Sequence, residues 1–214
     1  MGEAARQIDI FVEQHPQDAE ALGVAAMVHL DSGNDERARE LAGRALALDP
    51  NNLGAIVAQG SLALNVQDAP AAAACFDRAV AKNPASGRAW LGKGMTTLLR
   101  ADPGAAAGDM RQAVKHMPEH NGSWHALAWC QLLDNDLAGA EETFNHSMEI
   151  DRTFDETHGG LAVVYALQNR PEKAKAAIKR ARRLNPNCFS ARFTRRCKTR
   201  CRRRSRGCRR NPNS

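Results

Sequence analysis

The sequence predicts an all-α solenoid of stacked antiparallel helix pairs, about five repeats of 34 residues preceded by half a repeat. Three observations carry this. Prolines stand at 16, 50, 84, 118 and 186, with Arg152 in the one missing slot of a 34-residue series. Twelve residues before the six slots runs an unbroken alanine column: Ala4, Ala38, Ala72, Ala106, Ala140 and Ala174. With 38 alanines in 214 residues, chance gives such a column about once in 1,000 sequences, even allowing for 34 possible columns, so the period is a structural repeat. Between slots, apolar residues recur at three and four, as from Ala21 to Leu30 and from Trp124 to Leu133, which is the helical period.

The elements follow in order. Residues 2–15 carry Ala4, Ile8, Phe11 and Pro16 in register and read as the second helix of a unit whose first helix is absent, so the array is expected to be a piece of a longer one. After each slot a first helix runs into a turn: DSGND at 31–35, NVQDAP at 65–70, RADPG at 100–104, LDND at 133–136 and QNRP at 168–171. Each turn offers Asp or Asn as an N-cap. Pro70, Pro103 and Pro171 fall near a first helical position, where the missing N–H costs nothing. The second helix then runs to the next slot, preceded by the turn formers Asp49, Asn83 and Asn185. Small residues recur ten after the slot (Ala26, Gly60, Gly94, Ala128, Ala162), where helix axes must approach. Mostly large ones recur eight before it (Ile8, Ala42, Phe76, Met110, Phe144, Ile178), where a gap must be filled. Phe189 and Arg192 still hold first-helix positions; the register fails near Thr194.

This pattern resembles the tetratricopeptide repeat. The matching residues are Trp90 and Trp124 six after the slot, Gly60 and Gly94 four later, Tyr165 in the last full unit, and the series Ala72, Phe76, Ala79, Pro84. The resemblance covers about residues 2–193 and implies a right-handed superhelix. Arg152 in place of proline, Ala42 in place of a bulky residue and His158 in place of tryptophan depart from it. The expected organisation is a leading second helix at 1–16, a solenoid at 17–193 and an Arg/Cys-rich, disordered tail at 194–214.

Composition narrows the classes further. The net charge of +6 divides into 20 basic and 24 acidic residues in 1–193 and ten basic with none acidic in 194–214, so the basicity belongs to the tail. No run approaches 18 apolar residues, which excludes a membrane span, and the acidic start lacks a secretion signal; a cytoplasmic location is expected. Six cysteines, three of them in the tail, give no disulfide framework.

Sites of chemistry are sparse. His116, His120 and His125 approach ligand spacing, but Pro118 and Gly122 break the helix between them, and no metal or cofactor is expected. The GKG at 92–94 lies inside a first helix and reads as helix packing rather than a phosphate loop. His125 and Cys130 lack a third, orienting partner, so no catalysis is expected.

The resemblance implies instead a concave wall of first helices that accepts a peptide or helix of a partner protein. The register assigns to it Met27, Val57, Arg88, Leu91, Met95, His125, Trp129, Leu132 and Val163, with Glu20, Leu30, Asp31, Ser61, Leu64, Asn65, Leu98, Glu156 and Ala166 alongside. Val57, Leu91, Met95, Trp129 and Leu132 are expected to form an apolar patch. Filling of the groove by the chain's own packing is the competing reading. A subclass that clamps C-terminal carboxylates with Lys, Asn and Arg is disfavoured, since only Arg88 has a suitable type and place. Two readings of the tail stay open: an arginine-rich arm that binds RNA or DNA, or GC-rich DNA read out of frame. Zinc on Cys197, Cys201 and Cys208 lacks paired spacing and a fourth ligand. Beside the non-catalytic scaffold stand two alternatives, a nucleic-acid-associated protein acting through that tail and a repeat fragment of a larger enzyme or secretion-related protein.

Overall fold

A computed structural model describes residues 2–192, and among these every regular element is a helix. The chain divides between Pro118 and Glu119 into two compact units. The first holds α1 (Glu3–Gln14) and three pairs, α2 (Ala19–Asp31) with α3 (Asp35–Leu48), α4 (Leu53–Asn65) with α5 (Ala69–Lys82), and α6 (Gly87–Leu99) with α7 (Pro103–His116). The second holds α8 (Asn121–Leu133) with α9 (Leu137–Ile150) and α10 (Asp155–Leu167) with α11 (Pro171–Leu184), and residues 189–192 begin a further helical turn. The expected tail, with its zinc and frame readings, lies outside the described residues.

Turn chemistry sets this alternation. The chain enters second helices through N-caps on a 34-residue spacing: Asn34, Asp68, Asp102 and Asp136 accept from the backbone N–H three residues on, at 2.9–3.3 Å. Just before each cap one residue takes a left-handed backbone, Gly33, Gln67, Ala101, Asn135 and Asn169. First helices are capped by Asp18, Asn52, Ser86 and His120. Asp49, Asn83, Asp151 and Asn185 close the loops before them by accepting from the N–H two residues on. In the last pair both caps fail, because Phe154 and Arg170 stand where the cap belongs and make no side-chain cap bond.

Packing follows the columns read from the sequence. Ala38, Ala72, Ala106, Ala140 and Ala174 are fully buried, and so are Phe76, Met110 and Phe144. Ala4 is exposed, and Phe11 remains 43% exposed. In α1 the buried residues are Ala5 and Val12, so this helix turns a different face inward from that of the second helices that follow. The helix is held to its followers by polar contacts: Asp9 Oδ1 accepts from Arg37 Nη2 at 3.1 Å and lies 3.1 Å from His29 Nε2, a fully buried histidine of α2.

In the second unit Phe144 packs with Ala128, Ala140, Leu161 and Val164, while Cys188 and Ala191 close over Ala181 and Ile178. No helix among the described residues is long and apolar enough to cross a membrane.

Candidate functional site

The first-helix faces are built separately in the two units. In the first, Met95 is 41% exposed, and Leu91 and Met27 are half-buried. Val57 is only 4% exposed and belongs to the core around Phe76, so it offers a partner almost no surface. Arg88 is engaged: its guanidinium donates from Nη1 to Asp31 Oδ1 at 3.0 Å and from Nη2 to Oδ2 at 2.7 Å. These bonds raise its pKa against the opposing effect of burial. A partner carboxylate would have to displace Asp31, a geometry the sequence register does not reveal because the two residues lie 57 apart. Glu20 and Asn65 are likewise committed, to Asn52 and Asp35.

In the second unit His125 sits among aromatic rings, its centroid 5.2 Å from Phe154, 5.5 Å from Phe144 and 6.2 Å from Trp129. Trp129 Nε1 donates to His125 Nε2 at 2.9 Å, so the proton of the neutral ring sits on Nδ1, a buried atom without a hydrogen-bond partner. Burial pushes His125 down to about 4, against the pull of Glu156 and Asp155. A base so reluctant to protonate, five residues from a fully buried Cys130 on the same helix, is core chemistry rather than a nucleophile–base pair. Trp129 and Leu132 are half-buried against the Phe144 cluster, and Val163 is 2% exposed.

Three exposed residues lie outside the expected wall. Leu133 and Leu167, 55% and 50% exposed, occupy the same repeat position at the ends of α8 and α10, and Leu99 does so in the first unit at 38%. The signal was present as the column fifteen after the slot, which reads Asp31, Asn65, Leu99, Leu133 and Leu167.

His120 accepts from Ser123 N as a helix cap. Among the described residues Asp155, Glu156 and Cys188 bring three ligand-type atoms within 4.8 Å. Their chemistry fits a clasp better than a metal centre. Glu156 accepts from Phe189 N at 2.6 Å, Ser190 N at 3.1 Å and Ser190 Oγ. Burial raises its pKa, but these bonds outweigh it and leave the carboxyl below its usual value. Cys188 is pushed up to about 12, chiefly by burial and further by the two carboxylates, so it stands as a thiol.

Capped helix pairs on a 34-residue period, with apolar first-helix faces, define a helical-repeat protein of the interaction-scaffold class. Family models described as tetratricopeptide repeat match residues 2–52, 57–107 and 156–188, and the chain belongs to that family. No curated protein sequence matches it. Among solved structures it is similar to YrrB, described as a tetratricopeptide protein with an unusual peptide-binding site, at 20% identity and TM-score 0.64, covering 90% of this chain and 99% of that one. It is similar to the Cut9–Hcn1 hetero-tetramer of APC/C at 16% identity and TM-score 0.81, covering 90% of this chain and 38% of that one. It is also similar to PilF of Pseudomonas aeruginosa at 15% and 0.70, covering 90% and 89%. At these identities the likeness shows the fold alone.

Proposed function

We propose that the chain is a non-catalytic scaffold that holds a peptide or helix of a partner protein against its first-helix faces. The observation that carries this is the set of large apolar side chains exposed on those faces, Met95 and Leu99 in the first unit and Leu133 and Leu167 in the second. Each lies beside a half-buried apolar neighbour, Leu98, Leu132 or Ala166, and water-exposed apolar patches on a rigid frame favour association. Family membership and the peptide-binding site ascribed to YrrB support the reading. In the second unit Trp129 is the anchor, since aromatic side chains seated in apolar surroundings concentrate interface energy, about 2 kcal/mol or more on truncation.

The test is selection of peptides on the full chain from a displayed random library, followed by calorimetric titration against Trp129→Ala and against Leu133→Ser/Leu167→Ser. Loss of at least about tenfold in affinity is expected for one or both variants. Undiminished binding to both, with the fold intact by circular dichroism, removes this face from the function.

A further inference from the structure

The second unit carries a feature that peptide capture by first helices does not use. Between 170 and 192 the sequence has eight Lys and Arg against the single Glu172, so the positive charge assigned to residues 194–214 begins much earlier, on a folded helix. Lys179, Arg180 and Arg183 are exposed and share one face of α11 by their spacing of one, three and four. Two other cations of this segment are held in ion pairs, Lys175 with Glu172 at 2.6 Å and Arg170 with Glu141 at 2.7 Å. Lys179, Arg180 and Arg183 form no ion pair among the described residues.

Arg180 also lines a cleft of about 520 Å³ with Arg152, His158, Asn145, Met148 and Glu149. Arg152 and His158 are the two departures from the repeat in this unit, standing where proline and tryptophan belong. His158 Nε2 lies 3.1 Å from the Arg152 carbonyl, which reproduces the bond from Trp90 Nε1 to the Pro84 carbonyl at 2.8 Å. The substitution therefore keeps the local lock while leaving the second ring nitrogen for a ligand. Glu149, the one acid in the cleft, is paired with His146 at 3.4 Å.

We propose that Arg152, Lys179, Arg180, Arg183 and His158 form a binding surface for the sugar–phosphate backbone of single-stranded nucleic acid. One phosphate would occupy two arginines; Arg152 in the turn between α9 and α10, with Lys179, Arg180 and Arg183 on α11, matches a chain of phosphates. Guanidinium planes both pair with phosphate and stack on bases, and the cleft has the volume of a nucleotide-sized ligand. The adjoining cleft, lined by Glu141, Glu142 and Glu149, carries no cation beyond His146 and offers phosphate less than the α11 side.

The experiment is fluorescence anisotropy of a labelled oligouridylate of about 20 nucleotides with the full chain, titrated over a range of salt. The triple variant Lys179→Gln/Arg180→Gln/Arg183→Gln should bind at least about tenfold more weakly at low salt. It should also flatten the logarithmic salt slope by about 2, since each lost phosphate contact removes roughly 0.7. Arg152→Gln alone should flatten it by about 0.7, and its position away from α11 keeps the test decisive if the triple variant loses helical signal. Wild-type affinity and slope in Arg152→Gln, or in a folded triple variant, overturn the proposal and leave any binding to residues 194–214. Displacement of the RNA by polyglutamate at equal charge concentration also overturns it, in favour of an acidic protein partner. Neither result bears on the first-helix faces, whose variants are separate.

Discussion

Gly92 of α6 lies against the ring of Phe76 in α5 so closely that a Cβ on the glycine would stand 2.1 Å from Phe76 Cε1. Gly160 bears the same relation to Phe144, with 2.4 Å to Cζ. In both cases the bulky residue eight before the slot is received by the residue eight after it, sixteen positions on. Ala42, the departure in this column, is followed by Ala58 at the receiving position, so a smaller knob goes with a shallower hole.

Gly92→Ala is therefore expected to destabilise the chain. The methyl group must displace a fully buried ring, at a cost of about 1–3 kcal/mol, which outweighs the gain of about 1 kcal/mol from replacing a helical glycine. Gly108, in α7, is the control, because a Cβ there meets nothing within 4 Å. Gly108→Ala should raise the urea midpoint and Gly92→Ala should lower it; the same sign for both would show that the ring gives way.

The alanine column supports a second contrast. Ala72→Leu should cost about 1–3 kcal/mol by overpacking, because Ala72 is fully buried in the Phe76 cluster. Ala4→Leu should lie within about 0.5 kcal/mol of the parent, because Ala4 occupies the same repeat position on an exposed face. Equal losses in urea unfolding would refute the account of α1 given by its burial.

The periodic part of this fold was legible because it depends on spacing alone. The alanine column, the caps at Asp68 and Asp102 and the prolines at first helical positions all repeat every 34 residues, and each has a local physical cause. The first-helix faces were less legible. Their register positions follow from the repeat, but whether a side chain reaches solvent depends on its neighbours, so Val57 and Val163 are buried while Met95, at the same repeat position as Val163, is exposed. Contacts at unrelated separations, such as Arg88 with Asp31, leave no trace in a 34-residue period. Averaging over the body conceals a local charge: α11 is basic within residues of net negative charge.

Cys188 should be inert in the folded chain. It is 1% exposed and its pKa is pushed up to about 12, so the thiolate fraction at pH 8 is on the order of 10⁻⁴. Iodoacetamide labelling followed by peptide mass spectrometry should leave it unmodified until urea unfolds the second unit. Native labelling of Cys188 at the rate of an unfolded thiol would mean that residues 188–192 open readily from Glu156.

The last prediction concerns acid. In the unfolded chain His125 titrates near 6.5, whereas in the fold burial among Phe144, Phe154 and Trp129 holds it at about 4. Between those values the unfolded state binds the extra proton, so the stabilisation is complete above about pH 6.5 and is lost as pH falls towards about 4. The shift corresponds to about 3 kcal/mol. Glu156, whose pKa is depressed, adds its own loss only below the usual carboxylate range, which separates the two contributions on the pH axis. His125→Gln keeps an acceptor for Trp129 Nε1 but cannot take up a proton in this range. Thermal unfolding between pH 7 and pH 4 should show the parent losing stability through this window and the variant holding nearly level until the carboxylates titrate. Parallel curves would mean that protonated His125 finds a partner in the fold, Asp155 or Glu156 being the charges that favour it.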